Sequence, residues 1–346
     1  MTSKSDWLQR PGTIAESWNP IQDVIKGPSG RGYHCTKCSP GCEHCWAEDM
    51  NKRFGNRLPF DDRPVEFELM QDVLEKPLRW RKPRTVAVQL MGDFFHPAIP
   101  SAFQLQILQM IGKCPQHTFI LLTKRTEQLD LWEYVCGWHP YPNLWLVATV
   151  VNQEEADRKI PELLRVPAVV HGVSIEPCLG EIDLTSLPSG NPQYPILDAL
   201  TGMTRRIVTT VERREYCSYD EDTYYDESIP KRRLGWTIIG GESGSGARPM
   251  YPDWARRVRD DCQDVNVPYF FKQWGEWTPY QEEFATFTTR HSNHSDPNVG
   301  HQYIRHIGPS GHPDVFHKEC QTMVRVGKER TGHLLDGKEY HEWPIG

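Results

Sequence analysis

The chain has 346 residues, with 39 Lys and Arg against 46 Asp and Glu, for a formal net charge of −7. That balance and a pI of about 6.1 exclude a general positive coat for nucleic acid, and no run reaches the ~20 apolar residues of a membrane span. The length allows one large domain or two small ones. Residues Met1 to Pro11 are polar and ten cysteines are spread along the chain, which predicts a cytoplasmic protein with reduced thiols.

A short first strand is expected at Thr13–Trp18, followed by the densest feature of the chain, Cys35, Cys38, Cys42 and Cys45 within eleven residues. Pro40 and Gly41 suit a loop that wraps a compact object, and a helix is expected from near Trp46 toward Arg53. From Thr85 onward, apolar runs alternate with amphipathic stretches. Strands are predicted at Thr85–Met91, His117–Thr123, Leu144–Val151, Ala168–Glu176, Trp236–Gly240 and Pro268–Gln273. Most are near-continuous apolar runs, as in parallel strands covered on both faces. Helices are predicted at Ser101–Lys113 with Ser101 as N-cap, at Glu154–Arg165, and at Pro252–Val265. This alternation defines an α/β chain, an open doubly wound sheet or a barrel, with mostly parallel strands.

Two segments break the pattern. Residues 186–235 contain an acidic run with Tyr216, Tyr219, Tyr224 and Tyr225, read as an inserted loop or small subdomain. Residues 276–346 are polar and rich in His, and are expected to pack on the barrel as a C-terminal extension. The barrel itself is assigned to residues 1–275, with the cysteine loop at 34–46.

In parallel α/β folds, functional residues collect just after the strands. The strand ends here carry Gly92 and Asp93, then Lys124 and Arg125, Asn152, Ser174 and Glu176, Gly240 to Gly244 with Glu242, and finally Lys272 and Gln273. Asp93 or Glu242 suits an amine, and Lys124, Arg125 or Lys272 a carboxylate or phosphate. Each of these also has an ordinary reading as a turn or a solvated helix start. His96 is expected to be a structural hydrogen-bonder.

The cysteine loop has three readings. Cys38-x3-Cys42-x2-Cys45 has the spacing with which radical S-adenosylmethionine (SAM) enzymes hold three irons of a 4Fe–4S cluster, leaving the fourth iron open to SAM. A four-thiolate zinc site has the right ligand count, although the Cys35/Cys38 and Cys42/Cys45 pairs lie closer than usual. Disulfides are the third reading.

The stretches Trp18-Asn-Pro20, Cys35 to Glu48, Gly92-Asp-Phe-Phe-His-Pro97, Leu122-Thr-Lys-Arg125 and Ser174-Ile-Glu-Pro177 are similar, in order and wording, to a phage- and prophage-associated family of radical-SAM-like proteins of uncharacterised function. Gly240 to Gly244, Ala247-Arg-Pro-Met250, Phe270 to Gly275 and Leu334-Leu-Asp-Gly337 continue the likeness. The family's three cysteines resemble Cys35, Cys42 and Cys45; Cys38 and the long acidic insertion depart from its pattern. The resemblance implies a partial (β/α) barrel carrying a 4Fe–4S cluster and SAM, whose cleavage yields a 5′-deoxyadenosyl radical that takes hydrogen from a substrate. It places Gly92 and Asp93 near the SAM amino group, Lys124 or Arg125 at its carboxylate, and Asn152 and Ser174 at its ribose. Glu176, Glu242, Lys272 and Gln273 are left for substrate. A nucleobase, nucleotide or nucleic acid is the candidate substrate, and a partner protein a candidate addition. A non-catalytic zinc or cluster protein is the alternative; a hydrolase built on Asp93, His96 and Glu176 is weaker, since no His/Asp group there has metal-ligand spacing.

Overall fold

The computed structural model describes residues 5–129, 141–192, 194–208, 222–225, 232–280, 304–307 and 320–345. Its centre is a sheet of seven strands: β1 (Ile14–Trp18), β2 (Arg84–Val88), β3 (Thr118–Thr123), β4 (Leu144–Val150), β5 (Val170–Ile175), β6 (Leu234–Gly240) and β7 (Tyr269–Gln273). They lie side by side in chain order and every neighbouring pair is parallel. Sequential parallel order is the winding of a (β/α) barrel; seven strands curl into a half-barrel, the partial barrel expected from the alternating pattern.

Parallel strands need long crossovers, and helices α1 (Trp46–Phe54), α2 (Ser101–Gly112), α3 (Gln153–Arg165) and α4 (Pro252–Asp264) supply those after β1, β2, β4 and β6. Ile107, Leu108 and Ile111 of α2, Ile160, Leu163 and Leu164 of α3 and Trp254, Ala255 and Val258 of α4 pack into the main core against the outer face of the sheet. The inner face carries a second cluster built from every other strand residue: Ala15, Ala87, Ile120, Trp145 and Val147, Val170, Trp236 and Ile238, and Phe270. Both faces are apolar, which is why the strands read as continuous runs. Trp7 and Leu8 fill the inner face from the N-terminal segment. The indole of Trp343 donates to the Trp7 carbonyl at 2.9 Å, so the two ends of the chain close the inner face together.

Several predicted bounds shift. β2 ends at Val88, not Met91, because Gln89 turns to a φ of 54°. Its side-chain amide bonds both backbone groups of Ile21, at 3.1 and 2.9 Å. Ser101 is the first helical residue of α2; Pro100 holds the cap position and no side chain caps the helix. Between β5 and β6, a four-stranded antiparallel sheet (Leu187–Pro188, Ile196–Asp198, Met203–Val208, Asp222–Tyr225) occupies much of the predicted insertion, and β6 begins at Leu234, inside its assigned limit. Tyr216 and Tyr219 lie outside the described residues, as do the side chains of Tyr224 and Tyr225. In the C-terminal part, Trp277–Pro279, Ile304–Ile307 and Gln321–Arg325 form a small antiparallel sheet, and the chain returns to β7, where Phe270 bridges His341. Among the described residues no helix is long and apolar enough to cross a membrane.

Candidate metal centre at the strand ends

The cysteine loop lies across the carboxyl edge of the half-barrel, after β1 and before α1. Its tightest point is a single 3-10 turn, Pro40–Cys42, opened by Ser39, whose hydroxyl accepts from the Gly41 amide at 3.2 Å. A Cβ on Gly41 would stand 2.7 Å from Val151 beyond β4 and 3.1 Å from Pro177 beyond β5. The loop therefore rests directly on two strand ends, and only glycine permits that approach. Cys45 is the N-cap residue of α1.

Two arginines fasten the loop from opposite sides. Arg125, beyond β3 and 3% exposed, donates to the Cys38 sulfur at 2.7 Å and to the carbonyl and hydroxyl of Thr36 at 2.8 and 2.6 Å. Arg248, beyond β6, donates to the Pro40 carbonyl at 3.0 Å and to Glu43 at 2.9 Å. Its own anchor is the buried carboxylate of Glu242, held by the Arg248 amide at 2.8 Å and by the guanidinium at 2.8 and 2.6 Å.

Asp93 organises the floor beneath the thiols. Its Oδ1 accepts from the Phe95 amide at 3.0 Å and the Thr123 hydroxyl at 2.8 Å, and its Oδ2 from the Lys124 amide at 3.0 Å. Arg125 stands 3.9 Å from the same carboxylate. Gly92 passes under the loop, where a Cβ would meet the His34 carbonyl at 3.0 Å. His96 completes this side: its Nδ1 accepts from the Ala98 amide at 3.2 Å, so its Nε2 carries the proton and donates to the Thr36 hydroxyl at 3.2 Å.

The electrostatics suit a site that gathers thiolates. Burial opposes the charge on Lys124 and Arg125, yet the surrounding sulfurs and Asp93 hold both pKa values above their ordinary range. A hydrogen bond from Cys38 draws Cys42 down to about 5 and pushes Cys38 itself up. Burial pushes Cys35 up to about 12 and raises Cys45. Thiolate ligands carry no proton, so loading a metal on these cysteines releases protons. Among the described residues no three His, Cys, Asp or Glu side chains stand in closed metal-holding geometry. The donor set nonetheless matches a soft metal: four thiols on one loop, with Arg125 bonded to Cys38 and the Lys124 charge near the sulfurs.

The remaining predicted residues fall into a second group. Glu176, beyond β5, accepts from Ser174 at 3.2 Å and pairs with Lys272 of β7 at 2.8 Å. Asn152 caps α3, its side-chain oxygen accepting from the Glu155 amide at 3.0 Å. Glu242 is absorbed by Arg248 rather than turned toward a ligand. Arg248, Glu43 and Thr36 were not singled out as site residues in the sequence. The Ala247-Arg-Pro-Met250 stretch was the available signal for Arg248, since an arginine just past a strand end is a candidate clamp. A cavity of about 340 Å³ opens beside the loop, lined by Lys37, Glu48, Pro59, Phe60, Asp61 and Asp62.

Acid should loosen this site through His96. Burial, followed by the Arg125 charge, holds its pKa at about 4, below the ordinary 6.5. The unfolded chain therefore takes up the proton first. The stability gained from neutral His96 is complete above about pH 6.5 and is lost as pH falls toward 4, on the order of 3 kcal/mol. Thermal melts between pH 7.5 and 4 should show this acid limb, and His96→Gln should flatten it.

Fold and site together define a partial (β/α) barrel with a four-thiol loop, clamped by two arginines, on its carboxyl edge. The chain belongs to the DUF5131 family, described as a protein of unknown function, whose model matches residues 16–344. No curated protein and no solved structure matches it.

Proposed function

We propose that this protein is a radical-SAM-type enzyme, with a 4Fe–4S cluster held by Cys42, Cys45 and either Cys35 or Cys38. The observation that carries the reading is the position of the four-thiol loop: it sits over the carboxyl ends of parallel strands, against Lys124 and Arg125. Such a cluster, when bound with SAM, supplies one-electron cleavage of SAM to a hydrogen-abstracting radical.

The chain's own residues have distinct tasks. The ammonium of Lys124 offers a counter-charge for a carboxylate, and Arg125 offsets the negative charge of the thiolates while fixing Thr36. Asp93 Oδ2 takes one backbone hydrogen bond, from Lys124, which leaves acceptor capacity for an amino group. Ser174, in β5, and Asn152, just beyond β4, lie at neighbouring strand ends and are assigned to the ribose of SAM. The Glu176–Lys272 pair faces the same edge and is assigned to substrate, with a nucleobase, nucleotide or nucleic acid as the candidate class. Glu242 and Arg248 position the loop. A reducing cytoplasmic setting belongs to the same reading: all eight cysteines among the described residues are free thiols.

The test is turnover of SAM alone. Anaerobically reconstituted, dithionite-reduced protein should form 5′-deoxyadenosine and methionine, measured by chromatography. A tightly held zinc and no SAM cleavage would overturn the assignment in favour of a metal-stabilised binding protein.

A further inference from the structure

Exposed apolar side chains are unevenly placed. Of the eleven large ones among the described residues, Val24, Ile25, Trp46, Met50 and Phe54 fall within one segment around the cysteine loop. Trp46, Met50 and Phe54 are spaced by four along α1, so they form one stripe. They are 52%, 41% and 64% exposed, while Ala47, Glu48 and Asn51 face inward. The stripe begins one residue after Cys45.

The charges beside this stripe are not those of the whole chain. Residues 26–57 carry six Lys or Arg and three Asp or Glu in a protein of net charge −7. Glu43 is paired with Arg248, and Glu48 with Lys52 and Lys37. Arg31, Arg53 and Arg57 are exposed and have no ion pair among the described residues; the one unpaired carboxylate of α1 is Asp49. The local structure holds these arginines near the aromatics. Ser29 donates to the Phe54 carbonyl at 2.5 Å, and the Gly27 amide bonds the Arg31 carbonyl at 3.0 Å, so the loop bearing Arg31 docks on the end of α1. Arg57 sits at a φ of 67°, a backbone state rare for a residue with a side chain. Asn51 and Asn56 fix it: the Arg57 amide bonds the Asn51 carbonyl at 3.2 Å, and Asn51 donates to Asn56 at 2.7 Å. Backbone strain that places an unpaired arginine at the surface points to a ligand.

We infer that α1 and its flanking arginines form a track for single-stranded nucleic acid that leads to the cysteine loop. Trp46 and Phe54 stand about 12 Å apart along the helix axis and offer flat faces on which bases stack; Arg31, Arg53 and Arg57 meet the phosphates. A track of this kind coexists with an acidic chain because the positive charge is local. It rests on the proposed cluster chemistry only for what the strand is delivered to.

The test is fluorescence anisotropy with a fluorescein-labelled 20-mer of oligothymidine at 50 mM salt, on the protein as purified, without reductant or SAM. Saturable binding is expected. Trp46→Ala and Phe54→Ala should each weaken it about tenfold, and Arg53→Gln with Arg57→Gln should lower the salt slope by about 0.7 per arginine removed. Leu105→Ala, an exposed apolar residue of α2, should change nothing. Absence of binding overturns the inference, as does equal affinity for a duplex of the same length. So does a concentration-dependent dimer, without oligonucleotide binding, that Phe54→Glu abolishes. No binding by a protein with a SAM-responsive cluster removes the track and leaves the cluster; binding by a protein without one does the reverse.

Discussion

Cys42→Ala should purify with less than one iron per chain, against the about four expected of the wild type if it holds the proposed 4Fe–4S cluster. Cys42 is the one cysteine of the loop that burial, turn geometry and charge all single out. It closes the 3-10 turn, with its amide on the Ser39 carbonyl at 2.9 Å, so its position is fixed by backbone rather than by side-chain choice. A hydrogen bond from Cys38 also draws its pKa down, to about 5. Alanine removes the proposed ligand and a buried sulfur together. Because Cys42 is shared by the Cys38-x3-Cys42-x2-Cys45 spacing and the Cys35, Cys42, Cys45 pattern, the loss is expected whichever of Cys35 and Cys38 is the third ligand. Colorimetric iron and sulfide analysis on folded protein is the check. Iron retained at wild-type level would remove Cys42 from the ligand set.

Arg248→Ala should be the largest stability change at the site outside the cysteines, a loss of about 3–5 kcal/mol. Glu242 is 4% exposed and its carboxylate takes three hydrogen bonds from Arg248. Two of them come from the side chain and vanish in the variant, leaving a buried charge without its counter-charge. The same truncation frees the loop at Pro40 and Glu43, so iron occupancy should fall with stability. Part of the deficit should return in Arg248→Met with Glu242→Gln, which removes both charges and keeps the volume. Urea unfolding of the two variants distinguishes these expectations; a single variant within 0.5 kcal/mol of wild type would show that the clamp is dispensable.

Much of the architecture was legible in the chain. Leu144–Val150 is buried at every position, and a strand covered on both faces has no choice but a continuous apolar run. The cysteines, Asp93, Lys124 and Arg125 were legible as a group because parallel strands deliver their following residues to one edge. What was not legible was the pairing among them. Glu242 and Lys272 are equally plausible ligand groups as isolated letters; only the fold shows that Arg248 takes one and Glu176 the other. Asn152 also caps α3, a role that depends on where that helix begins. The strand limit at Val88 escaped for a similar reason: Gln89 leaves the strand to hold Ile21, a contact 68 residues distant that no local pattern encodes.

The proposed cluster is tested most directly by anaerobic purification with iron, sulfide and zinc analysis, followed by electron paramagnetic resonance of the dithionite-reduced protein without and with SAM. The radical-SAM assignment predicts about four irons per chain and a reduced-cluster signal that changes when SAM is added, as an iron open to SAM requires. One zinc, no iron and no response to SAM would contradict it.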